Sequence, residues 1–277
     1  PIFPILPSII NVKEEIADFI ENKKRINFPE ECVFGNALAK VVNTPKPQPL
    51  APEMPQVDVA AIRRVVDNCE AGYLGLEDIR TLLDAAGISR KMEVEVDNVD
   101  AAVDFARKVG YPLVMKVVGP LHKSDVGGVV LNVKDEETVI REFNRLIKIP
   151  ETYAVEIYPM LFGTEVFIGA SKEEKFGHQV LFGLGGIFVE VMKDVKAALA
   201  PVSQSEALSL LKQLRGYKIL KGVRGQEPVN EELFAETVAR VSALVTAAPE
   251  IAEMDLNPLL GTSQSITAVD ARIRIEK

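Results

Sequence analysis

The sequence predicts a mixed α+β fold in which helices are interspersed among short strands. Apolar residues recur at helical spacing in several segments, and many of these segments start at a capping side chain or stop at a glycine. Between about residues 154 and 191, short apolar runs instead follow one another with no helical segment between them, which indicates antiparallel pairing. With 277 residues, 47% of them hydrophobic, the chain is long enough for one large domain or two.

The N-terminal block, residues 1–43, is predicted to contain two helices, one capped by Asn11 and one over about residues 29–42. Two helices with a short lead-in cannot bury both of their faces alone, so we expect this block to end a domain whose remainder is absent. Residues 44–57 contain five prolines and predict an extended, semi-rigid linker. The main domain is therefore expected over residues 58–277.

The main domain is predicted to alternate helices and strands before its central run of strands. Asp58 is a candidate helix cap, and Gly87 and Gly110 are candidate helix stops. The predicted helices cover about residues 58–69, 76–86, 99–109, 139–147, 204–214 and 230–247. The predicted strands cover about residues 92–96, 111–118, 129–133, 154–160, 165–170, 179–183, 187–191, 251–256 and 266–273.

Composition narrows the class of partner and the compartment. A net charge of -8 argues against broad binding to nucleic acid or to a membrane surface, because both favour basic patches. No apolar run approaches the roughly 20 residues of a membrane span, and no signal peptide is visible. Cys32 and Cys69 lie in apolar periodic segments without metal-ligand spacing, so we expect buried thiols in a reducing compartment, the cytoplasm.

The strongest functional signal is the segment from Lys116 to Gly128. Lys116 lies at the end of a predicted buried strand, His122 follows a Gly-Pro turn, and Gly127 and Gly128 come next. This combination suits a site that handles phosphoryl groups, because it offers a fixed cation, an imidazole, and a glycine backbone that lets anions come close. His122 could attack phosphorus and form a phosphohistidine. The alternatives are a strand-end lysine in solvent and a surface histidine, and His178 is interpreted as structural or exposed.

Two further clusters carry carboxylates. The glycine loop from Gly183 leads into a strand rather than a helix, so it is not a dinucleotide fingerprint, and Glu190 beyond it is either a surface residue or a site acid. Asp255 and Asn257 share one face of a predicted strand. With Asp270 from a neighbouring strand they would form an oxygen ligand set for Mg²⁺. The alternative is an Asn-Pro turn that closes a hairpin.

Together and in this order, the clusters resemble the ATP-grasp subunit of ADP-forming acyl-CoA synthetases, relatives of succinyl-CoA synthetase. The resemblance covers about residues 70–277. The segments that carry it are 110–116, 122–128, 183–194, 221–225 and 255–271. It implies a two-lobed ATP-grasp fold, preceded in residues 1–43 by a short helical remnant of a CoA-ligase (flavodoxin-like) domain. The chain then resembles the C-terminal piece of a fused enzyme.

The resemblance also implies roles for individual residues. Lys116 would bind α- or β-phosphate oxygens, beside the glycine backbone of Gly127 and Gly128, and Glu165 would bind the ribose hydroxyls. Backbone between Pro159 and Leu161 would meet the adenine. The Mg²⁺ ligands would be Asp255, Asn257 and Asp270. The catalytic candidates are His122 and Glu190, and His122 would receive a phosphoryl group from a first histidine in the CoA-binding part and pass it to ADP.

The implied activity is the reversible conversion of acyl-CoA, ADP and phosphate to acid, ATP and CoA, with ATP or ADP and Mg²⁺ bound. The chain would be an incomplete acid–CoA ligase that works with CoA-binding and CoA-ligase domains of the same chain or a partner chain, in an oligomer. Two other hypotheses stay open. One is a regulatory nucleotide-binding module of an acetyltransferase-fused or degenerate relative, and the other is an interaction domain kept for assembly.

Overall fold

The computed structural model describes residues 13–24, 28, 30–44, 53–119, 126–186, 194–223 and 225–277. The chain divides into two units, residues 1–50 and 51–277, and the division falls inside the predicted proline-rich linker. The first unit contains α1 (Lys13–Glu21) and α2 (Glu31–Val42), as the helical spacing predicted. Its Cys32 is exposed because α2 buries none of its residues, and Cys69, at the end of α3 (Val59–Asn68), is only half-buried. The prediction of two buried thiols is therefore wrong.

The second unit alternates helices and strands before a run of strands, as predicted. Its remaining helices are α4 (Leu76–Ala86), α5 (Val99–Val109), α6 (Glu136–Leu146), α7 (Gln204–Leu211), α8 (Tyr217–Leu220) and α9 (Glu231–Ala247). Its strands are β1 (Gly72–Tyr73), β2 (Val94–Val96), β3 (Leu113–Val118), β4 (Val129–Val133), β5 (Ala154–Pro159), β6 (Thr164–Glu173), β7 (Gly177–Leu184), β8 (Val195–Leu199), β9 (Ile251–Gly261), β10 (Ile266–Ala268) and β11 (Ala271–Ile275).

Helix boundaries follow the local chemistry that the sequence indicated. The Asp58 carboxylate accepts a hydrogen bond from the Ala61 N–H at 2.9 Å, which caps α3. Gly87 ends α4 with a φ of 68°, a left-handed conformation that glycine adopts without a steric penalty. None of the helices in the described part of the chain combines the length and apolar character that a membrane crossing requires.

The smaller lobe is an antiparallel sheet in the order β2-β5-β3-β4, with α5 and α6 packed on one face. Met115, Ile157 and Phe143 belong to the core between the sheet and these helices. Since side chains alternate along a strand, Lys116 and Glu156 lie on the opposite face, which the helices leave uncovered. The alternation thus places charged side chains on one side of a small apolar sheet.

The larger lobe is an antiparallel sheet in the order β1-β11-β9-β6-β7-β8, with β10 paired to β9. Its main core includes Phe182, Phe234 and Leu256, between the sheet and helices that include α3, α4 and α9. The predicted strand over 266–273 is in fact two strands, β10 and β11, and β8 was not predicted. The predicted strand over 187–191 lies outside the described residues.

Candidate functional site

A cavity of about 490 Å³ lies between the helix-free face of the smaller lobe and the part of the larger lobe formed by α4 and the start of β11. Its charged lining comes from several separate segments. These lining residues are Arg80, Arg90, Lys91, Glu93, Glu95, Lys116, Glu156, Asp270 and Arg272. Lys116 and Asp270, two predicted site residues separated by most of the chain, therefore border the same space.

Lys116 is presented to this cavity by strand β3. It pairs with Glu156 on β5 and with Val129 on β4. Its neighbours Met115 and Val117 are fully buried in the core on the other face, so the Lys116 side chain is directed to the cavity side. Among the described residues, no carboxylate oxygen lies within 4.0 Å of its Nζ. Its ammonium is therefore not held in a close ion pair with any of them and is available to an anionic ligand.

A buried set of ion pairs, here called the ionic chain, runs from Arg80 through Glu93 and Lys91 to Glu156. The Nε of Arg80 is 3.1 Å from Glu93, the Nζ of Lys91 is 2.9 Å from Glu93, and the same Nζ is 2.6 Å from Glu156. The side chains of Lys91, Glu93 and Glu156 are less than 10% exposed. Sequence reasoning missed this cluster, because Glu156 is 65 positions from Lys91 in the chain.

Burial and charge compete within the ionic chain. Burial alone would lower the pKa of Lys91, but the carboxylates of Glu156 and Glu93 outweigh it and the pKa is raised. Burial would raise the pKa of Glu156, yet a side-chain hydrogen bond with Glu93, the ion pair with Lys91 and the charge of Lys116 together lower it. The pKa of Glu93 is raised, chiefly by burial and then by Glu156. Lys91 and Glu156 therefore face each other as ammonium and carboxylate, and the field of Lys116 reaches Glu156.

The glycine pair after the predicted histidine loop lies next to Lys116. The Gly128 carbonyl accepts a hydrogen bond from the Val117 N–H at 2.9 Å, and the Gly127 carbonyl accepts one from Arg145 at 3.0 Å. Gly127 has a φ of 64°, so the turn before β4 uses a conformation that favours glycine. The catalytic candidates His122 and Glu190 lie outside the described residues.

The residues predicted to meet adenine and ribose follow the end of β5. Pro159 is the last residue of β5, Leu161 lies in the connection to β6, and Glu165 is exposed near the start of β6. The Glu165 carbonyl accepts a hydrogen bond from the Gly185 N–H at 2.8 Å, and its carboxylate lies directly against Gly186. None of the three is among the residues that line the cavity around Lys116.

The predicted metal ligands lie where β9 departs from regular pairing. Val166 of β6 pairs with Leu259 and Ile168 pairs with Leu256, so Asn257 and Pro258 form a bulge on β9. Because β9 continues to Gly261, the alternative of an Asn-Pro hairpin turn is wrong.

Asp255, Asn257 and Asp270 are brought to neighbouring positions by the pairing of β9 with β11. Asp255 pairs with Arg272, and Ala271 pairs with Leu256, so the same register places Asp270 at the level of Asn257. The pKa of Asp255 is raised, chiefly by burial. The nearby charges of Asp270 and Glu253 raise it further, whereas Arg272 lowers it. Within the described ranges, no group of three His, Cys, Asp or Glu side chains could hold a metal ion, so the candidate set depends on the Asn257 amide.

Comparison with known proteins defines the class. The ATP-grasp domain family matches residues 66–275. The chain is 38% identical over 227 residues to the ADP-forming acetate–CoA ligase I subunit beta of Pyrococcus furiosus. The match covers 78% of this chain and 98% of that subunit. It is 40% identical over 203 residues to the ADP-forming acetate–CoA ligase II of Archaeoglobus fulgidus, covering 70% of this chain but only 29% of that protein.

A solved structure gives the same assignment. It is the dinucleotide-forming acetyl-coenzyme A synthetase 1 of Ca. Korarchaeum cryptofilum with coenzyme A and Mg-AMPPCP, its phosphohistidine segment pointing towards the nucleotide-binding site. The TM-score is 0.67 at 35% identity, over 79% of this chain and 100% of that one. The chain belongs to the ATP-grasp family and, within it, to the group formed by the beta subunits of ADP-forming acetate–CoA ligases and their longer relatives.

Proposed function

We propose that this chain is the nucleotide-binding, phosphohistidine-forming module of an ADP-forming acyl-CoA synthetase. The observation that carries the proposal is the cavity in which Lys116 of the smaller lobe and Asp270 of the larger lobe border one space. Phosphoryl transfer depends on positioning and on neutralising phosphate charge, and a cation opposite a metal-binding carboxylate supplies both. The family relationship supports the same reading.

Phosphate binding would centre on Lys116. Its ammonium would contact α- or β-phosphate oxygens, while the backbone of Gly127 and Gly128, beside it in the sheet, lets the ligand approach closely. Arg80 also lines this cavity.

Adenine and ribose would bind at the connection from β5 to β6. The Pro159 carbonyl can accept a hydrogen bond from the adenine amino group, the backbone at Leu161 would complete the adenine contact, and the exposed Glu165 carboxylate can accept from ribose hydroxyls.

Asp255, Asn257 and Asp270 fit Mg²⁺ by the chemistry of their donors. Two carboxylates and an amide are hard oxygen ligands, and Mg²⁺ is usually held by one or two carboxylates together with waters and phosphate oxygens. The raised pKa of Asp255 reflects burial and nearby negative charge that a cation would offset. When bound, the metal ion would neutralise phosphate charge during transfer.

In the proposed reaction, an imidazole nitrogen of His122 attacks the γ-phosphorus of ATP. A P–N bond forms, the bond from phosphorus to the β,γ-bridging oxygen breaks, and ADP leaves with the electron pair. The phosphoryl group would then pass to a CoA-binding domain, where acid and CoA combine to acyl-CoA and phosphate is released. Each step is reversible, so acyl-CoA and phosphate would drive ATP formation in the other direction.

The remaining steps need parts outside the proposed ATP-grasp domain at residues 58–277. We propose that residues 1–43 are the end of a CoA-ligase domain and residues 44–57 a linker. The CoA-binding and CoA-ligase domains would belong to the same chain or a partner chain of an oligomeric enzyme. The chain spans nearly all of the Pyrococcus subunit but under a third of the longer Archaeoglobus enzyme, which agrees with either arrangement.

Labelling with γ-³²P-ATP and Mg²⁺ tests the proposed function. The chain has two histidines, and His178 is buried with its Nε2 2.6 Å from the Ile251 carbonyl, so we expect acid-labile, base-stable label on His122 alone. The variant His122→Ala should lose the label completely. Equal labelling of the variant and the natural chain would reject the role of His122. Binding of Mg-ATP without any label would instead support the regulatory nucleotide-binding alternative.

Substitution of Gly186 tests the role of Glu165. A methyl group in Gly186→Ala would collide with the Glu165 carboxylate, so this side chain must move. We expect adenosine affinity to fall by about fivefold, the effect of losing one hydrogen bond, as measured by calorimetry.

The control is Gly177→Ala, because Gly177 also has a positive φ, of 78°, but its added methyl group would meet open space. The control should share the backbone strain and leave adenosine affinity unchanged. Equal affinity losses in both variants would assign the effect to strain rather than to Glu165.

A further inference from the structure

The ionic chain joins the two lobes along the lining of the cavity. Arg80 belongs to α4, which packs on the core of the larger lobe, whereas Glu156 belongs to the central part of the smaller sheet. Lys91 lies between them and contacts Glu93 and Glu156 at 2.9 and 2.6 Å. Glu156 in turn is the cross-strand partner of Lys116. A continuous set of buried charges therefore leads from the larger lobe to the residue beside Lys116.

The backbone of Lys91 is attached to the other half of the site. Its N–H donates to the Ala268 carbonyl at 2.9 Å, and the Ala268 N–H donates to the Ser89 carbonyl at 2.9 Å. Ala268 is the last residue of β10, two positions before Asp270. The main chain of Lys91 is thus fixed to the segment that carries Asp270, and its side chain is fixed to the strand pair that carries Lys116.

The Lys91 ammonium is already surrounded by groups of the protein. Its Nζ donates a hydrogen bond to Glu156 at 2.6 Å, forms an ion pair with Glu93 at 2.9 Å and lies 4.0 Å from the centre of the Tyr158 ring, a cation–π contact. Lys91 would therefore act through other residues rather than on the nucleotide directly.

We propose that Lys91 and Glu156 are positioning residues that hold Lys116 of the smaller lobe in register with Asp270 of the larger lobe. This inference rests on the proposed function, since it assigns Lys116 and Asp270 to one Mg-nucleotide. Replacement of a buried ion pair by apolar residues of similar volume is often neutral or stabilising, so stability alone does not explain this pair, and the alignment of the two lobes is the role we assign to it.

A double substitution separates alignment from stability. In Lys91→Met with Glu156→Leu, an apolar pair replaces the ion pair, so the full chain should keep its melting temperature within a few degrees. We expect Mg-ATP to bind about tenfold more weakly, because Lys116 and the metal ligands lose their alignment. Adenosine, which does not reach the phosphate site, should bind as before. Unchanged Mg-ATP affinity in the folded double variant would overturn the proposal.

The matched control removes another well-formed ion pair of the smaller lobe. Arg107 and Glu136 form two hydrogen bonds, at 2.8 and 2.7 Å, but both are exposed and neither belongs to the larger lobe. The variant Arg107→Met with Glu136→Leu should leave Mg-ATP affinity unchanged. A tenfold loss in this control as well would show a general response to lost charge and would contradict the specific role of Lys91 and Glu156.

A distance measurement tests the alignment without any nucleotide. Tyr153→Cys in the smaller lobe and Phe176→Cys in the larger lobe replace exposed side chains and can carry spin labels in a Cys32→Ser, Cys69→Ser background. Pulsed electron resonance should give a broader distance distribution in the single variant Glu156→Gln than in the labelled parent. An unchanged distribution would overturn the inference even if the chain binds no ATP, and a broadened one would support it independently of the nucleotide function.

Discussion

Replacement of Lys116 by methionine is expected to raise the dissociation constant for Mg-ATP by about 100-fold. The Lys116 ammonium is half-buried at the cavity and keeps no close carboxylate partner among the described residues, so its charge is free for phosphate oxygens. A hydrogen bond to a charged group contributes about 1.5–3 kcal/mol, and a 100-fold loss corresponds to about 2.7 kcal/mol, within the range of one such bond. Methionine keeps the length of the side chain, and isothermal titration calorimetry measures the change.

The control for this result is Lys134→Met. Lys134 follows β4 in the same lobe and is exposed, and it does not line the cavity. Its loss removes the same formal charge from the protein, so a general electrostatic effect would weaken both variants alike. If Lys116→Met binds Mg-ATP as tightly as Lys134→Met does, Lys116 is not a phosphate ligand.

Replacement of Lys91 alone is expected to cost about 3–5 kcal/mol in the free energy of unfolding. In Lys91→Met the carboxylates of Glu93 and Glu156 stay buried but lose the cation between them, and an uncompensated buried charge is strongly destabilising. Urea unfolding followed by circular dichroism measures the loss. Addition of Glu156→Leu to the same chain should recover much of it, because one of the two carboxylates is then gone.

A much smaller loss of stability in Lys91→Met would show that the ionic chain is not shielded from solvent. A loss below about 1 kcal/mol in Lys91→Met is the behaviour of an exposed ion pair and would mean that water reaches these side chains. The exposed Arg107 serves as a reference here, since Arg107→Met should barely change the urea midpoint.

Much of the fold follows from local sequence signals. The apolar spacing in α5 and the caps at Asp58 and Gly87 are decided within a few residues, so they were predicted with nearly correct boundaries. The strand that carries Lys116 was predicted for the same reason, but it continues to Val118, so Lys116 lies inside β3 and the prediction that it ends the strand is wrong. The pairing of β9 with β11 brings Asp255 near Asp270. The sequence could not predict this pairing and only made the metal site depend on it, because strand pairing is decided by residues distant in the chain.

The features that sequence reasoning missed depend on long-range contacts. Lys91 and Glu156 are 65 positions apart, and neither belongs to a motif. One available signal was Glu156 itself, a carboxylate inside the apolar run of β5, where an unpaired charge would be costly. The bulge at Asn257 and Pro258 was read as a possible turn, because a proline in a strand is compatible with either. The roles of His122 and Glu190 stay predictions from the sequence.

In the proposed function, both lobes contribute to one Mg-nucleotide site. Calorimetric titration with ATP, with and without Mg²⁺, tests it most directly in the natural chain, Lys116→Met and Asp270→Asn. We predict that Asp270→Asn binds metal-free ATP normally but loses the gain in affinity that Mg²⁺ gives, whereas Lys116→Met weakens binding under both conditions. Absence of ATP binding by the natural chain, or a normal Mg²⁺-dependent gain in Asp270→Asn, would contradict the account.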